Sequence, residues 1–269
     1  MPFEIAHPVR PLTPRFTEQQ AWVQYPPDPV RRYENPMFGW AVAFYVTFAV
    51  TTLGWLPTPV GGVLGVVFFL RYLNRFHQAL HADDRRAARW HPARVFLVLV
   101  GPLYLGYREL REIHHLHHRE EGSARDPDLL MMQRSALRSL FWCFFQPELS
   151  VVDYIQRFGL RPRLIAGLTA RAAVYVALMT AVGWEGFLLF NITVRVANTI
   201  AWMVFSWFVH APWLWGQVRP PRFPLLIAHL WTIVVGWENL VGIRFHFLHH
   251  VFPHIPDRHL PEVSRRMII

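Results

Sequence analysis

Three clusters of closely spaced histidines constrain this chain more than any other feature of its sequence. In two clusters the histidines recur at i, i+3 and i+4, and in the third at i and i+4. On a helix these spacings place the side chains on one face. The clustered residues are His77 and His81; His114, His117 and His118; and His246, His249 and His250. Since each cluster adjoins an apolar segment, we expect a fold that brings the three faces to one site.

The chemistry of the clusters indicates metal binding. The chain has 15 histidines and a single cysteine. Neutral imidazole suits iron, zinc, copper and nickel, whereas the near absence of thiols argues against iron–sulfur clusters and cysteine-rich zinc sites. One surface histidine pair is commonly incidental, but three clusters together favour a metal site. Because eight histidines exceed what one tetrahedral ion can bind, we expect two ions.

Long apolar segments predict an all-α membrane protein with about four transmembrane helices in two hairpins. Residues 37–56 carry no charge and are numerous enough to cross a bilayer core. Further spans are predicted at 60–70, within 164–190 and within 192–209. Residues 95–107 and 225–241 are expected to form interfacial or re-entrant helices. We expect residues 1–36 to be a cytoplasmic N-terminal segment and 37–269 to be a single membrane-embedded domain.

The arginines predict the orientation in the membrane. All 27 basic residues are arginine, with six in residues 71–94, six in 108–138 and none in 51–62. By the positive-inside rule the arginine-rich loops are cytoplasmic. Four spans then place all three histidine clusters on the cytoplasmic side. Arginine bias and small size favour a bacterial inner membrane.

The net charge of +9 raises the alternative of nucleic-acid binding. However, the arginines flank apolar segments and no nucleic-acid motif is present. Contact with anionic lipid headgroups explains the charge better, so we expect no nucleic-acid partner. An acidic redox partner on the basic face is a further alternative.

Other polar residues could complete the site. His210 ends the last predicted span, and we expect it to be a ninth ligand, the alternative being an ordinary interfacial histidine. Four carboxylates could hold ligand imidazoles through their second ring nitrogen, although solvated loop charges are the simpler interpretation for most. They are Glu109, Glu112, Asp126 and Asp128.

The motifs resemble those of the integral-membrane fatty acid desaturase and hydroxylase superfamily, which includes acyl desaturases and carotenoid ketolases. The matching patterns are HxxxH at 77–81, HxxHH at 114–118 with Gly122-Ser123 and Asp126-Pro127-Asp128 after it, and HxxHH at 246–250 with Pro253 and Pro256 after it. The resemblance implies two non-haem iron ions at the cytoplasmic mouth of a four-span bundle. The ligands it implies are His77, His81, His114, His117, His118, His210, His246, His249 and His250.

Some positions depart from the pattern or fall outside it. Gln78 stands where many relatives have an acidic residue, and the pattern gives His115 and His254 no role. The chain has no fused cytochrome or ferredoxin domain, which implies a separate electron donor such as a ferredoxin or a cytochrome.

The resemblance implies an O2-dependent oxidoreductase that acts on unactivated C–H bonds of a lipid, and we expect a fatty acyl desaturase. The alternatives in the same superfamily are a carotenoid ketolase and a lipid hydroxylase. A metal transporter or sensor is a more distant alternative, disfavoured because the histidines gather at one membrane face. Aromatic residues at 141–145 and 202–215 could line a lipid channel or simply pack.

Overall fold

The computed structural model describes residues 23–83, 91–95, 103–133, 135–211, 214, 216–218, 220 and 222–267. Within them the regular structure is helical, apart from a β-bridge between Pro29 and Asp83, which confirms the all-α prediction. The α-helices are α1 Arg31–Thr52, α2 Thr58–His81, α3 Pro92–Val95, α4 Tyr107–Glu120, α5 Ala136–Phe144, α6 Gln146–Phe158, α7 Pro162–Trp202, α8 Leu225–Val234, α9 Trp237–Arg244, α10 His246–Val251 and α11 Leu260–Arg266. A π-helical turn, Met203–Phe208, follows α7. The helix predicted at 95–107 lies mostly outside the described residues.

Helices α1 and α2 form the first hairpin. The N-cap of α2 is Pro57, whose extended backbone fits the start of a helix. The helices approach so closely that a Cβ on Gly61 would lie 2.0 Å from Thr51 Oγ1. Deeper in the bundle, Phe44 packs on Phe69 and on Phe190 of α7, with ring centroids 5.5 and 5.7 Å apart. This hairpin fixes the end of α2, where the first histidine cluster lies.

The segment from Pro162 to Phe208 is a second hairpin. A continuous helix would separate Tyr175 from Asn191 by about 24 Å, yet the Tyr175 hydroxyl donates to Asn191 Oδ1. The chain reverses at Gly183, whose φ of 68° favours glycine. The boundary that the sequence predicted between two spans, at residues 190–192, is therefore wrong, because the helix continues through these residues. The helix breaks instead at Gly183, and the apolar composition of the segment does not distinguish this glycine.

One helical segment of the described chain is both long and apolar enough to cross a membrane. It is Pro162–Phe208, with a mean hydropathy of 1.7, and almost none of its most apolar stretch is buried inside the protein. Helices α1 and α2 have 22 and 24 residues, which is sufficient length, but they are less apolar.

Helix α8 is short and apolar, and its ten residues include none that is buried. Ten residues extend about 15 Å, half the thickness of a bilayer core. Gly236, with a φ of 110°, separates α8 from α9. The region 225–241 is thus two short helices and not one span, as expected for an interfacial segment.

Candidate metal centre

The structure brings all nine predicted ligands into one cluster. His77 and His81 come from the last turns of α2, the middle group from α4, His210 from the residues after the π-helical turn, and the last group from α10. Ring nitrogens form two sets, each with its atoms within 4.8 Å of one another. One set is His77, His81, His114 and His249, and the other is His117, His210 and His250.

Two further histidines lie between these sets. The ring centroid of His118 is 5.0 Å from that of His249 and 4.1 Å from that of His250, so it adjoins both. The His246 ring lies 4.9 Å from the His210 ring. The nine side chains thus surround two neighbouring positions, as two ions would require.

The spacing of the nitrogen atoms fits metal ligation. His81 Nε2 and His114 Nε2 are 2.6 Å apart, and His114 Nε2 and His118 Nε2 are 3.2 Å apart. In the other half, His246 Nε2 and His250 Nε2 are 3.0 Å apart. Two nitrogens bound at right angles to one ion at about 2.1 Å would lie roughly 3 Å apart.

A buried ring nitrogen provides a second indication that these residues fit a metal. His249 Nε2 is buried and has no hydrogen-bond partner among the described residues. An unsatisfied buried polar atom is destabilising, and a metal ion would satisfy it.

Burial keeps several imidazoles of α4 and α10 neutral. It lowers the pKa of His114 and His246 well below the ordinary 6.5, and neighbouring histidines lower both further. The pKa of His250 is lowered for the same reasons. Neutral imidazole is the form that binds a metal.

The turn after α4 holds His117 in a fixed orientation. His117 Nδ1 donates to Asp126 Oδ1 at 2.8 Å, and Asp128 Oδ2 lies 3.8 Å away. Asp126 is itself fixed by the backbone N–H of Gly122 and of Asp128, each at 2.8 Å. Burial alone lowers the pKa of His117, but Asp128, Asp126 and Glu121 outweigh it and raise that pKa to about 9. The candidate role of Asp126 in holding a ligand imidazole thus has a structural basis, and Asp128 lies close to the same ring.

Glu109 and Glu112, in contrast, do not contact the histidine cluster. Glu109 pairs with Arg163 at 3.4 Å, and Glu112 accepts a hydrogen bond from Tyr154 at 2.7 Å. These contacts do not support the alternative in which Glu109 and Glu112 hold ligand imidazoles, because the two side chains face α6 and α7.

Sequence reasoning missed two carboxylates. Glu121 Oε1 lies 2.9 Å from His210 Nε2, and Glu121 Oε2 lies 2.8 Å from His250 Nδ1. Asp257 Oδ1 lies 3.5 Å from His249 Nδ1. Each stands a few residues after a histidine cluster, and that proximity was the available signal.

The π-helical turn before His210 was also unforeseen. His210 Nδ1 donates to the carbonyl of Ser206 at 2.7 Å, which orients Nε2 toward Glu121. Trp207 Nε1 donates to the carbonyl of Gln133 at 3.0 Å and ties the turn to the loop after α4. Such turns are common at functional sites.

The two unassigned histidines differ in environment. His115 is exposed, and its Nε2 donates to the carbonyl of Leu80 at 2.9 Å. His254 is buried and lines a small pocket together with His249 and Asp257.

A cavity adjoins the cluster, and its empty space is about 900 Å³ when the open solvent at its mouth is included. Its walls are mainly apolar, and it is bordered by four of the clustered histidines. Phe205 lies between cavity and cluster, stacked on the His77 ring at 5.0 Å. Trp202 also lines it, whereas Phe141 is 54% exposed on the surface. The bordering histidines are His77, His114, His117 and His246.

A comparison with protein-family models identifies the family of this chain, whereas two other comparisons find no match. Neither the curated proteins nor the solved structures contain a match to the chain. The family model described as fatty acid desaturase matches residues 53–268, which include every clustered histidine. The chain therefore belongs to the fatty acid desaturase family, a membrane-associated family of oxidoreductases that act on lipids and generally depend on two irons.

Proposed function

We propose that this chain is an O2-dependent di-iron oxidoreductase that desaturates a fatty acyl lipid. The observation that carries the proposal is the apolar cavity bordered by His77, His114, His117 and His246. A metal transporter would need ionisable groups along a path across the membrane, whereas here the histidines border a compartment suited to a hydrocarbon chain.

The clustered histidines would hold two iron ions, which supply the oxidising power for an unactivated C–H bond that no side chain provides. The protein positions these ligands from several helices and fixes His117 through Asp126. Apolar residues such as Leu73, Phe76 and Ile113 line the cavity, align the hydrocarbon and exclude water.

Exposed apolar side chains on α1 and on both arms of the α7 hairpin support membrane insertion, and α2, the hairpin partner of α1, would be the fourth span. Phe38, Val42 and Val46 recur every fourth residue on α1 and are each at least 45% exposed. On α7, Val176 and Ile192 are similarly exposed on the two arms of the hairpin. We propose that these faces contact lipid and that the histidine cluster lies on the cytoplasmic side. A separate donor protein would supply the electrons.

A lipid mass profile of cells expressing the chain tests the proposal, with His249→Ala as the inactive control and iron counted in the purified protein. A new unsaturated acyl chain with about two irons per protein supports desaturation. Oxygenated carotenoid or hydroxylated lipid would assign the chain to another reaction of the family. Active cells whose protein is zinc-loaded or metal-free would overturn the iron chemistry.

A further inference from the structure

The cavity beside the histidines has one feature that a plain hydrocarbon does not require. Tyr104 lines it and is only 7% exposed, and its hydroxyl is buried with no hydrogen-bond partner among the described residues. A buried hydroxyl without a partner destabilises a protein. Phenylalanine would fill the same space without that cost, so the hydroxyl requires an explanation.

Three other uncharged polar side chains line the same cavity, two from the start of α6 and one from the last turns of the α7 helix. Gln146 is 3% exposed, Asn198 1% and Ser150 8%. Gln146 Nε2 donates to Ser150 Oγ at 2.5 Å, and Asn198 Nδ2 donates to the carbonyl of Cys143 at 3.5 Å. These three residues and Tyr104 are the uncharged polar side chains in the mainly apolar lining of the cavity, and together we call them the polar end.

Along the chain, two members of the polar end stand apart from the histidines. Asn198 precedes Phe205 by seven residues, and Phe205 stacks on His77. Helix α4 begins at Tyr107, three residues after Tyr104, and reaches His114 seven residues later. At 1.5 Å per residue, each of these seven-residue intervals is about 10 Å of helix backbone. Asp128, which lies 3.8 Å from His117 Nδ1, lines the same cavity, so the cavity adjoins both the polar end and the histidines.

The charges around the cavity favour a neutral ligand group. Among the described residues, the carboxylate Asp128 lines the cavity and no arginine does. The nearby Arg195 is bound to Glu148, with NH1 and Oε2 2.8 Å apart. A buried carboxylate on the lipid would have no cation to pair with, whereas a neutral oxygen needs only a hydrogen-bond donor.

We propose that the polar end binds an uncharged oxygen of the lipid, a hydroxyl or a carbonyl, through a hydrogen bond donated by Tyr104. This inference rests on the proposed function and adds to it a residue that contacts the oxygen of the lipid. Tyr104 is in this view a specificity-determining residue and takes no part in the oxidation.

The test uses the iron-loaded full chain and measures binding instead of turnover. Tritiated oleyl alcohol is the probe, and unlabelled oleyl alcohol, methyl oleate and 1-octadecene compete for it. Tyr104→Phe removes the hydroxyl and keeps the ring. Tyr72→Phe is the matched control, because the Tyr72 hydroxyl already donates to the carbonyl of Ala93 at 3.0 Å and Tyr72 does not line the cavity.

We expect Tyr104→Phe to weaken the binding of the alcohol and of the ester about two- to tenfold and to leave the binding of octadecene unchanged. Its melting temperature without lipid should be unchanged or higher, whereas Tyr72→Phe should melt lower and preserve the preference for oxygenated ligands.

Equal effects of Tyr104→Phe on all three ligands, or no effect on any, would overturn the inference. The lipid profile separates this result from failure of the proposed function. Wild-type protein that oxidises lipid without distinguishing the ligands disproves the polar end alone. Protein that distinguishes them and forms no oxidised lipid disproves the oxidase assignment alone.

Discussion

Glu121 and His210 are in direct contact, with Oε1 of the carboxylate 2.9 Å from Nε2 of the ring. His210 Nδ1 donates to the carbonyl of Ser206, so in the neutral ring Nε2 is an acceptor that faces another acceptor. A cation next to both atoms would make this contact favourable. The pair therefore links the second histidine set to a carboxylate that the histidine motifs do not include.

Replacing Glu121 by glutamine should weaken the second metal position. We expect Glu121→Gln to lower iron affinity about 10- to 100-fold there, because it removes the negative charge and replaces one of the two oxygens that face His210 and His250 by an NH2 group. Iron per protein after dialysis against a weak chelator measures the effect. Glu120→Gln is the matched control, and equal iron retention in the two variants would contradict the role of Glu121.

Alanine substitution should have different effects at a buried histidine of the cluster and at an exposed histidine beside it. His249→Ala removes a buried ring from the first set and should abolish lipid oxidation and reduce bound iron. His115→Ala removes an exposed ring that contacts the carbonyl of Leu80, and it should retain both iron and activity. Iron analysis and the lipid profile test both variants, and loss of iron in His115→Ala would mean that the ligand set is incomplete.

Gly183 and Gly39 provide a matched pair for the reversal of the second hairpin. Gly183 has a φ of 68°, so Gly183→Ala should destabilise the protein by about 1–2 kcal/mol. Gly39 lies inside α1 with nothing within 4 Å of an added Cβ, so Gly39→Ala should be neutral or stabilise by up to about 1 kcal/mol. Thermal unfolding in detergent measures the change in stability for both variants. A Gly183→Ala protein as stable as wild type would contradict the reversal of the chain at Gly183.

The histidine positions were predictable from the sequence because helical spacing determines which side chains share a face. The joining of three faces at one site followed from their shared chemistry. The reversal at Gly183 was not predictable, since apolar residues continue on both sides of it. The roles of Glu121 and Asp257 depend on contacts between distant helices, such as that of Asp257 with Gln78 at 3.4 Å. Their proximity to a histidine cluster along the chain is a signal, but it does not specify which side chains they contact.

Asp28 should make stability depend on pH at a site remote from the histidines. It accepts hydrogen bonds from Tyr33 at 2.7 Å and from Arg258 at 2.8 Å, with Arg32 3.4 Å away. Burial raises the pKa of Asp28, but the bonds from Arg258 and Tyr33 outweigh it and leave that pKa below the ordinary 3.8. The stabilisation is therefore present above the unfolded-state pKa and is lost as pH falls through the lower folded-state pKa.

Asp28→Asn should accordingly cost about 1–3 kcal/mol at neutral pH, with the difference from wild type shrinking below about pH 4. Unfolding midpoints measured from pH 3 to 8 test this. Asp153→Asn is the control, because Asp153 pairs only with the neighbouring Arg157 in the described structure and should cost no more than about 0.5 kcal/mol. A constant Asp28→Asn penalty across the whole range would exclude the carboxylate charge as its cause.

Ala201 offers a way to close the lipid cavity without touching the histidines. It is 5% exposed and lines the cavity from α7, between Asn198 and Phe205. A phenyl ring at this position would occupy space that the hydrocarbon needs, so Ala201→Phe should reduce lipid conversion at least about tenfold while two irons remain bound. Val196→Phe adds similar bulk on the same helix where the side chain is 42% exposed, and it should convert lipid normally. Normal conversion by Ala201→Phe would show that the hydrocarbon reaches the histidines by another route.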